Sequence, residues 1–297
     1  MPTLHDIKDS ELLEEISRRF AEKEASIQEM EFMTKKLLDM NEKTKEAEAT
    51  KSKFLSLIKN EFNNPISTLL NISHKLVQKQ HQDKFESMSQ MMHLELLRLD
   101  FHLKNIFSAT EIEAGEIAND FSTIDMKSLF NDTLDTFKYL ITDKDLTVNL
   151  DMKTDETFVS DTQKLYMILL NLVSNACEFS YPGKSVKVTF MSSAEAFIIT
   201  VEDNGEGIAV EDKKEIYNRF TQFHSGETRP YSGLGLGLSV TRAFIEALDG
   251  EIDYESKKGH TVFTVTLPKI DPASASSSIG SNEFMFDDFG DDDMVEM

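Results

Sequence analysis

Three short runs decide the reading: Asn171-Leu172-Val173-Ser174-Asn175-Ala176-Cys177-Glu178-Phe179-Ser180, then Asp203-Asn204-Gly205-Glu206-Gly207-Ile208, then Ser232-Gly233-Leu234-Gly235-Leu236-Gly237-Leu238-Ser239. The first lies late in an expected helix. Asn171 and Asn175 stand at i and i+4, so both amides project from one face. Neutral amide oxygens suit a hard cation, and Mg²⁺ takes few protein ligands beside waters and phosphate oxygens. The second run ends an expected strand. Its Asp203 can accept a hydrogen bond from an exocyclic amine, and Gly205 and Gly207 let backbone approach a flat ring. The third opens a helix, and Gly233, Gly235 and Gly237 there leave backbone N–H groups free for phosphate. Each run alone is a weak signal, but their order and spacing of about 30 residues make them a strong one together.

Around these runs the pattern alternates. Strands are expected at 146–152, 185–190, 196–202, 250–256 and 261–268, and helices near 126–142, 162–178, 211–219 and 236–249. This is an α/β domain long enough to bury its own core.

The first part of the chain reads differently. Leu13, Ile16, Phe20, Lys23, Ile27, Met30, Thr34 and Leu37 alternate spacings of three and four, the seam of a left-handed coiled coil. The count continues through a polar stretch, 41–53, and meets Leu55, Ile58 and Phe62 without a slip. One long helix is therefore expected from about residue 10 past 60. A second helix is expected from about 85 to 114. The polar stretch 74–84 would connect them into a hairpin, and two hairpins would make a four-helix bundle. The first 50 residues offer no partner face of their own, which favours a parallel homodimer.

Composition sets limits. The chain has 297 residues and a net charge of −22, which argues against nonspecific binding to nucleic acid or an anionic membrane. A lone Cys177 excludes a disulfide framework and a multi-Cys zinc site. The start MPTLHDIKDSELLEE is not a signal peptide, and no run is long and apolar enough to span a bilayer, so a cytoplasmic location is expected. From Asp271 onward there are eight carboxylates and no Lys or Arg, with Phe284, Met285, Phe286 and Phe289 among them. This tail is expected to be disordered. It reads either as a solvating tail or as a short docking motif for a basic, apolar groove.

The three runs, with Ile216-Tyr217-Asn218-Arg219-Phe220 between the second and third, resemble the N, G1, F and G2 boxes of the histidine-kinase ATP-binding domain, shared with gyrase and the heat-shock ATPase chaperones. The resemblance implies ATP with Mg²⁺ as cofactors. Asn171, Asn175, Asp203, Gly205, Gly207, Gly233, Gly235 and Gly237 would form the nucleotide site, with Asn175 as metal ligand and 209–232 as a mobile lid. Ile106 to Glu116 is similar to the end of the second dimerisation helix of that family. Lys53 to Ile66 aligns with its H box. The expected architecture is α + α/β: a coiled coil (1–50), a dimerisation hairpin (51–118), an α/β sandwich ATP-binding domain (119–270) and the tail (271–297). The implied partners are a second copy of the chain and a response-regulator receiver domain.

The H box departs from the family. Its histidine precedes an acid and stands five residues before a proline; with Glu61 and Pro65 in those places, the acceptor position is Asn60. An amide nitrogen has a delocalised lone pair and is no nucleophile, so autophosphorylation there is excluded. Lys59 and Asn63 also depart from the usual neighbours. Asn60 is either natural to a degenerate box or an engineered exchange. Glu61 and Asn64 keep the acid-x-x-Asn spacing on one helical face. In the family the polar residue at the Asn64 position is associated with orienting water for dephosphorylation of the receiver; the alternative is a surface element at a helix kink. His74, His81, His93 and His102 read as ordinary surface histidines. Glu178 stands where many relatives carry a Lys or Arg, and a carboxylate there would repel ATP unless compensated. Together these imply an atypical kinase relative acting on a response regulator, with a noncatalytic scaffold or an altered ordinary kinase as alternatives.

Overall fold

The computed structural model describes residues 9–77, 85–154, 158–208, 215–221 and 233–270. They fall into two units, one up to Asn60 and one from Glu61 onward. Helix α1 (Asp9–Val77) is unbroken through the polar stretch 41–53 and through Pro65. In the first unit Phe20, Met30, Leu37 and Leu55 of the expected seam are exposed. The helix runs to Val77, past the expected break at His74, because nothing between His74 and Val77 is a helix breaker. The rest of the connection, with His81, lies outside the described residues.

The second unit begins with the end of α1, followed by α2 (Phe85–Ala114). Gly115 ends α2 at φ +71°, and the Glu116 N–H reaches back to the Glu111 carbonyl at 3.0 Å, a left-handed cap that favours glycine. Next come β1 (Phe121–Ile124), α3 (Met126–Asp143), β2 (Thr147–Met152), β3 (Phe158–Asp161) and α4 (Thr162–Phe179). They are followed by β4 (Ser185–Ser192), β5 (Ala196–Asp203), α5 (Gly237–Ala247), β6 (Glu251–Lys257) and β7 (His260–Pro268). A five-stranded sheet runs β2-β4-β5-β7-β6, parallel only between β2 and β4. Helices α3, α4 and α5 form the second layer.

Alternation builds this core. Val186, Val188 and Phe190 of β4 and Phe197, Ile199 and Val201 of β5 are buried, against Leu165, Ile168, Leu169 and Leu172 of α4. Each such side chain contributes roughly 1.5–3 kcal/mol on burial. Phe158 stacks on Phe197 with ring centroids 4.2 Å apart, bringing β3 into the same core.

Two short strands were not expected. β1 and β3 pair antiparallel, and each is only four residues long, too short for alternation to show. A buried clasp holds them: Lys164 Nζ donates to Asp161 Oδ2 and to the Ala118 carbonyl, each at 2.5 Å, and Asp161 also accepts the Asp120 N–H at 3.0 Å. The clasp fixes the segment leading out of α2 onto the start of α4. The expected helix at 211–219 is corrected where it is described: 215–219 form turns, and Phe220 at φ +62° bonds its N–H to the Gly235 carbonyl at 2.8 Å. That reversal stops any helical run there. Residues 271–297 lie outside the described residues, as do most of those expected to form the lid.

Candidate functional site: a nucleotide-binding cleft

Helix α4 carries the asparagine pair. It starts at Asp161, whose side chain caps the Lys164 N–H at 2.9 Å. Asn171 is 1% exposed, and neither its amide oxygen nor its nitrogen has a hydrogen-bond partner. A buried polar group of this kind calls for a water, ion or ligand atom. Its Oδ1 lies 3.0 Å from where a Cβ on Gly237 would stand, so a side chain there would have to push the Asn171 amide aside. Asn175, one turn later, is half-buried. Glu178 is half-buried in the last turn.

The far end of α4 is held by Lys144, just after α3. Its ammonium donates to the carbonyls of Cys177, Glu178 and Ser180. A cation at a helix C-terminus complements the dipole and satisfies carbonyls left without partners. Beyond it, Ser180 bridges to Gly205, and the Tyr181 N–H donates to the Asn204 carbonyl at 3.2 Å. The asparagine helix and the Asp203 turn are therefore joined.

Asp203 ends β5 and is buried. Its Oδ1 accepts the Gly205 N–H at 3.0 Å, and the Thr261 hydroxyl also bonds the carboxylate. Burial nevertheless pushes its pKa up to about 6. A Cβ on Gly205 would stand 2.1 Å from the Phe179 carbonyl oxygen, and one on Gly207, at φ +79°, 2.5 Å from that of Lys257. On the other side, Gly235 at φ +66° packs against the backbone of Phe220 and Thr221. Gly233 differs from the rest, since nothing stands within 4 Å of its would-be Cβ. Leu236 caps α5 without any side-chain hydrogen bond, which leaves the first-turn N–H groups unanswered from the cap. The second unit thus presents an acceptor on a glycine turn, an orphaned amide and an uncapped helix start.

The family described as "Histidine kinase-, DNA gyrase B-, and HSP90-like ATPase" matches residues 160–271, which include all three runs. The chain is similar to histidine kinases over most of its length. It is 27% identical over 259 residues to the circadian input-output histidine kinase CikA of Synechococcus elongatus, covering 83% of this chain and 34% of that protein. It is 27% identical over 269 residues to the autoinducer 2 sensor kinase/phosphatase LuxQ of Vibrio parahaemolyticus, covering 83% of this chain and 30% of LuxQ. The chain therefore spans about a third of the length of these relatives. The solved histidine kinase AdeS of Acinetobacter baumannii shares the fold, with a TM-score of 0.50, 23% identity and coverage of 71% of this chain and 98% of AdeS. The matched ATPase-type domain, residues 160–271, implies ATP binding.

The H-box-like residues are arranged less simply than their spacing suggests. The Asn60 side chain lies outside the described residues. Glu61 is buried, whereas Asn64 is exposed, so the two do not share one accessible face. Glu61 turns toward α2, where its Oε2 lies 3.9 Å from His102 Nδ1. His102 is buried and not the surface histidine expected; its apolar-flanked place on α2 faces the hairpin interior. Burial, with Arg98 nearby, lowers its pKa to about 4. It is neutral near pH 7, and its contact with Glu61 is polar rather than ionic. His74 and His93 are exposed, as expected.

Motif reading missed Thr261, Ser256 and Lys144. Thr261 lies directly across from Asp203 in the sheet, a register that no local pattern announces. Lys144 reads locally as one charge in a turn.

Proposed function

We propose that this chain is a two-component signalling protein that binds ATP with Mg²⁺ and acts on a response-regulator receiver domain without autophosphorylating at Asn60. The observation that carries the nucleotide reading is the convergence of a buried acceptor, Asp203, on glycine turns that tolerate no side chain, beside the orphaned Asn171 amide. These residues fit the group. Asp203 would take the base amine, Asn175 the Mg²⁺, and the Gly233–Gly237 segment the phosphates. When bound, ATP–Mg²⁺ supplies a phosphoryl donor in histidine kinases with a complete H box; here it serves as a conformational effector. Exposed apolar side chains along α1, Phe20 and Leu37 among them, support a homodimer through coiled coil and hairpin. The acidic tail would recruit a further partner, and the domain division remains the one expected from sequence.

Exposed Asn64 supports action on the receiver, since a group that orients water must be reachable. The similarity to LuxQ, a sensor kinase/phosphatase, is consistent with that direction. Titration is expected to show ATP binding that strengthens with Mg²⁺. Added chain is expected to speed decay of a phosphorylated receiver domain, and Asn64→Ala to slow that decay ~10-fold. Receiver decay that neither chain nor variant changes would leave the noncatalytic scaffold, a reading favoured by the withdrawal of Glu61 into the hairpin. Label from ATP on Asn60→His, set against none on the unaltered chain, would identify a latent kinase.

A further inference from the structure

Asp203, Thr261 and Ser256 stand in one row across three neighbouring strands. The register pairs Asp203 of β5 with Thr261 of β7, and Ser256 of β6 with the same Thr261. Directly paired residues share a face of the sheet, so three polar side chains meet where β5 runs into the 204–208 turn. The Ser256 and Thr261 hydroxyls are 3.0 Å apart, and the Ile208 N–H donates to Ser256 Oγ at 2.8 Å. The Thr261 hydroxyl bonds the Asp203 carboxylate.

The ends of this chain fix its direction. An amide N–H only donates, and an ionised carboxylate only accepts. Each hydroxyl between them has one proton to give. Ser256 therefore donates to Thr261, and Thr261 donates to Asp203. Reversal would place both the Ile208 N–H and the Thr261 proton on Ser256, and would leave Ser256's own proton outside the row.

We infer that Ser256 is a positioning residue, whose hydroxyl relays the Ile208 amide through Thr261 to Asp203 and so holds that carboxylate as an acceptor for a base edge bearing an amino group rather than a keto oxygen. The inference rests on the nucleotide reading above and adds to it the residue that sets base preference. The relay also ties the backbone after Gly207 to the carboxylate that meets the base. Four other groups act on Asp203. Glu202 on β5 works against its ionisation, His260 on β7 and the Gly205 amide work for it, and Cys177 on α4 is a neutral thiol.

The experiment uses the full chain, with ATP and GTP as probes titrated from about pH 5 to 8, and amide exchange read at Ile208 in nucleotide-free protein. Ser256→Ala is expected to weaken ATP binding ~5- to 10-fold while changing GTP binding less, which narrows the ratio between them. The pH midpoint for ATP binding should move up by about half a unit, since a freed Thr261 hydroxyl supports the carboxylate less well. Exchange at Ile208 should accelerate, and Ser256→Thr should restore all four readouts. A Ser256→Ala protein with the unaltered ATP-to-GTP ratio and pH midpoint overturns the inference, as does an equal loss for both nucleotides that Ser256→Thr fails to rescue. If the unaltered chain binds neither nucleotide, the nucleotide reading itself falls and takes this inference with it; that failure is recognised by the silence of the wild-type titration.

Discussion

Asp203→Asn is expected to reduce ATP affinity ~100-fold or more and, in the same protein, to raise the melting temperature of the nucleotide-free chain. The first effect follows from donor count. An amide turned toward the base presents N–H groups where the carboxylate offered only acceptors, so a base amine meets a donor instead of a partner. The second follows from burial. Asp203 sits in the native state with a pKa of about 6 against an ordinary 3.8. Between those values the folded chain holds a proton that the unfolded chain has lost, so this group's contribution to stability falls as pH rises. The cost is absent below the ordinary value, grows through the window and is complete above about pH 6. A neutral amide removes it. For a domain of this size each 1 kcal/mol recovered lifts Tm by roughly 2–4 °C. Thermal melts at pH 4.5 and 7 check the sign: the gap between variant and wild type should widen at the higher pH. An unchanged gap, or full ATP affinity in the variant, counts against Asp203 as the charged acceptor. Such a gain in stability against a loss of binding is the usual signature of a group kept for function.

Gly205→Ala is expected to be the most damaging single methyl addition in the site. The new Cβ would stand 2.1 Å from the Phe179 carbonyl oxygen and 3.0 Å from Asp203 Oδ1. The first of these is backbone, at the end of a helix that Lys144 already holds by its last carbonyls, and it cannot swing aside. The bridge between Ser180 and Gly205 would have to open, separating α4 from the Asp203 turn. A loss of about 4 kcal/mol or more is expected, read by urea unfolding, with nucleotide binding lost alongside. Gly233→Ala is the matched comparison, because its added methyl meets nothing within 4 Å; it should change stability by no more than about 0.5 kcal/mol. Equal damage from the two would show that steric room at Gly205 is not what matters.

The long strands and helices were legible because their side chains alternate or recur over many residues. β5, with every second residue buried, and α4, buried on most of its apolar face, are of this kind. β1 and β3 were not legible, since four residues cannot establish a period. The glycine runs were legible as a site because tight backbone approach needs a particular residue type at a particular place. Gly205, Gly207, Gly235 and Gly237 each meet that need, whereas Gly233 does not. What spacing could not convey was partnership at a distance. Glu61 and Asn64 share a helix turn, but α2 covers only one of them, and His102 is buried for the same reason. Thr261 and Ser256 join Asp203 only through sheet register.

The strand order has one further consequence. β6 lies at an edge of the sheet, where open N–H and C=O groups invite a strand from another molecule. Along it Glu251, Asp253, Glu255 and Lys257 are all exposed, alternating with the half-buried Ile252, Tyr254 and Ser256. An incoming copy of the same edge would bring three carboxylates against three, so the negative charge that looked at first like a statement about partners also guards the chain against polymerising through its own sheet.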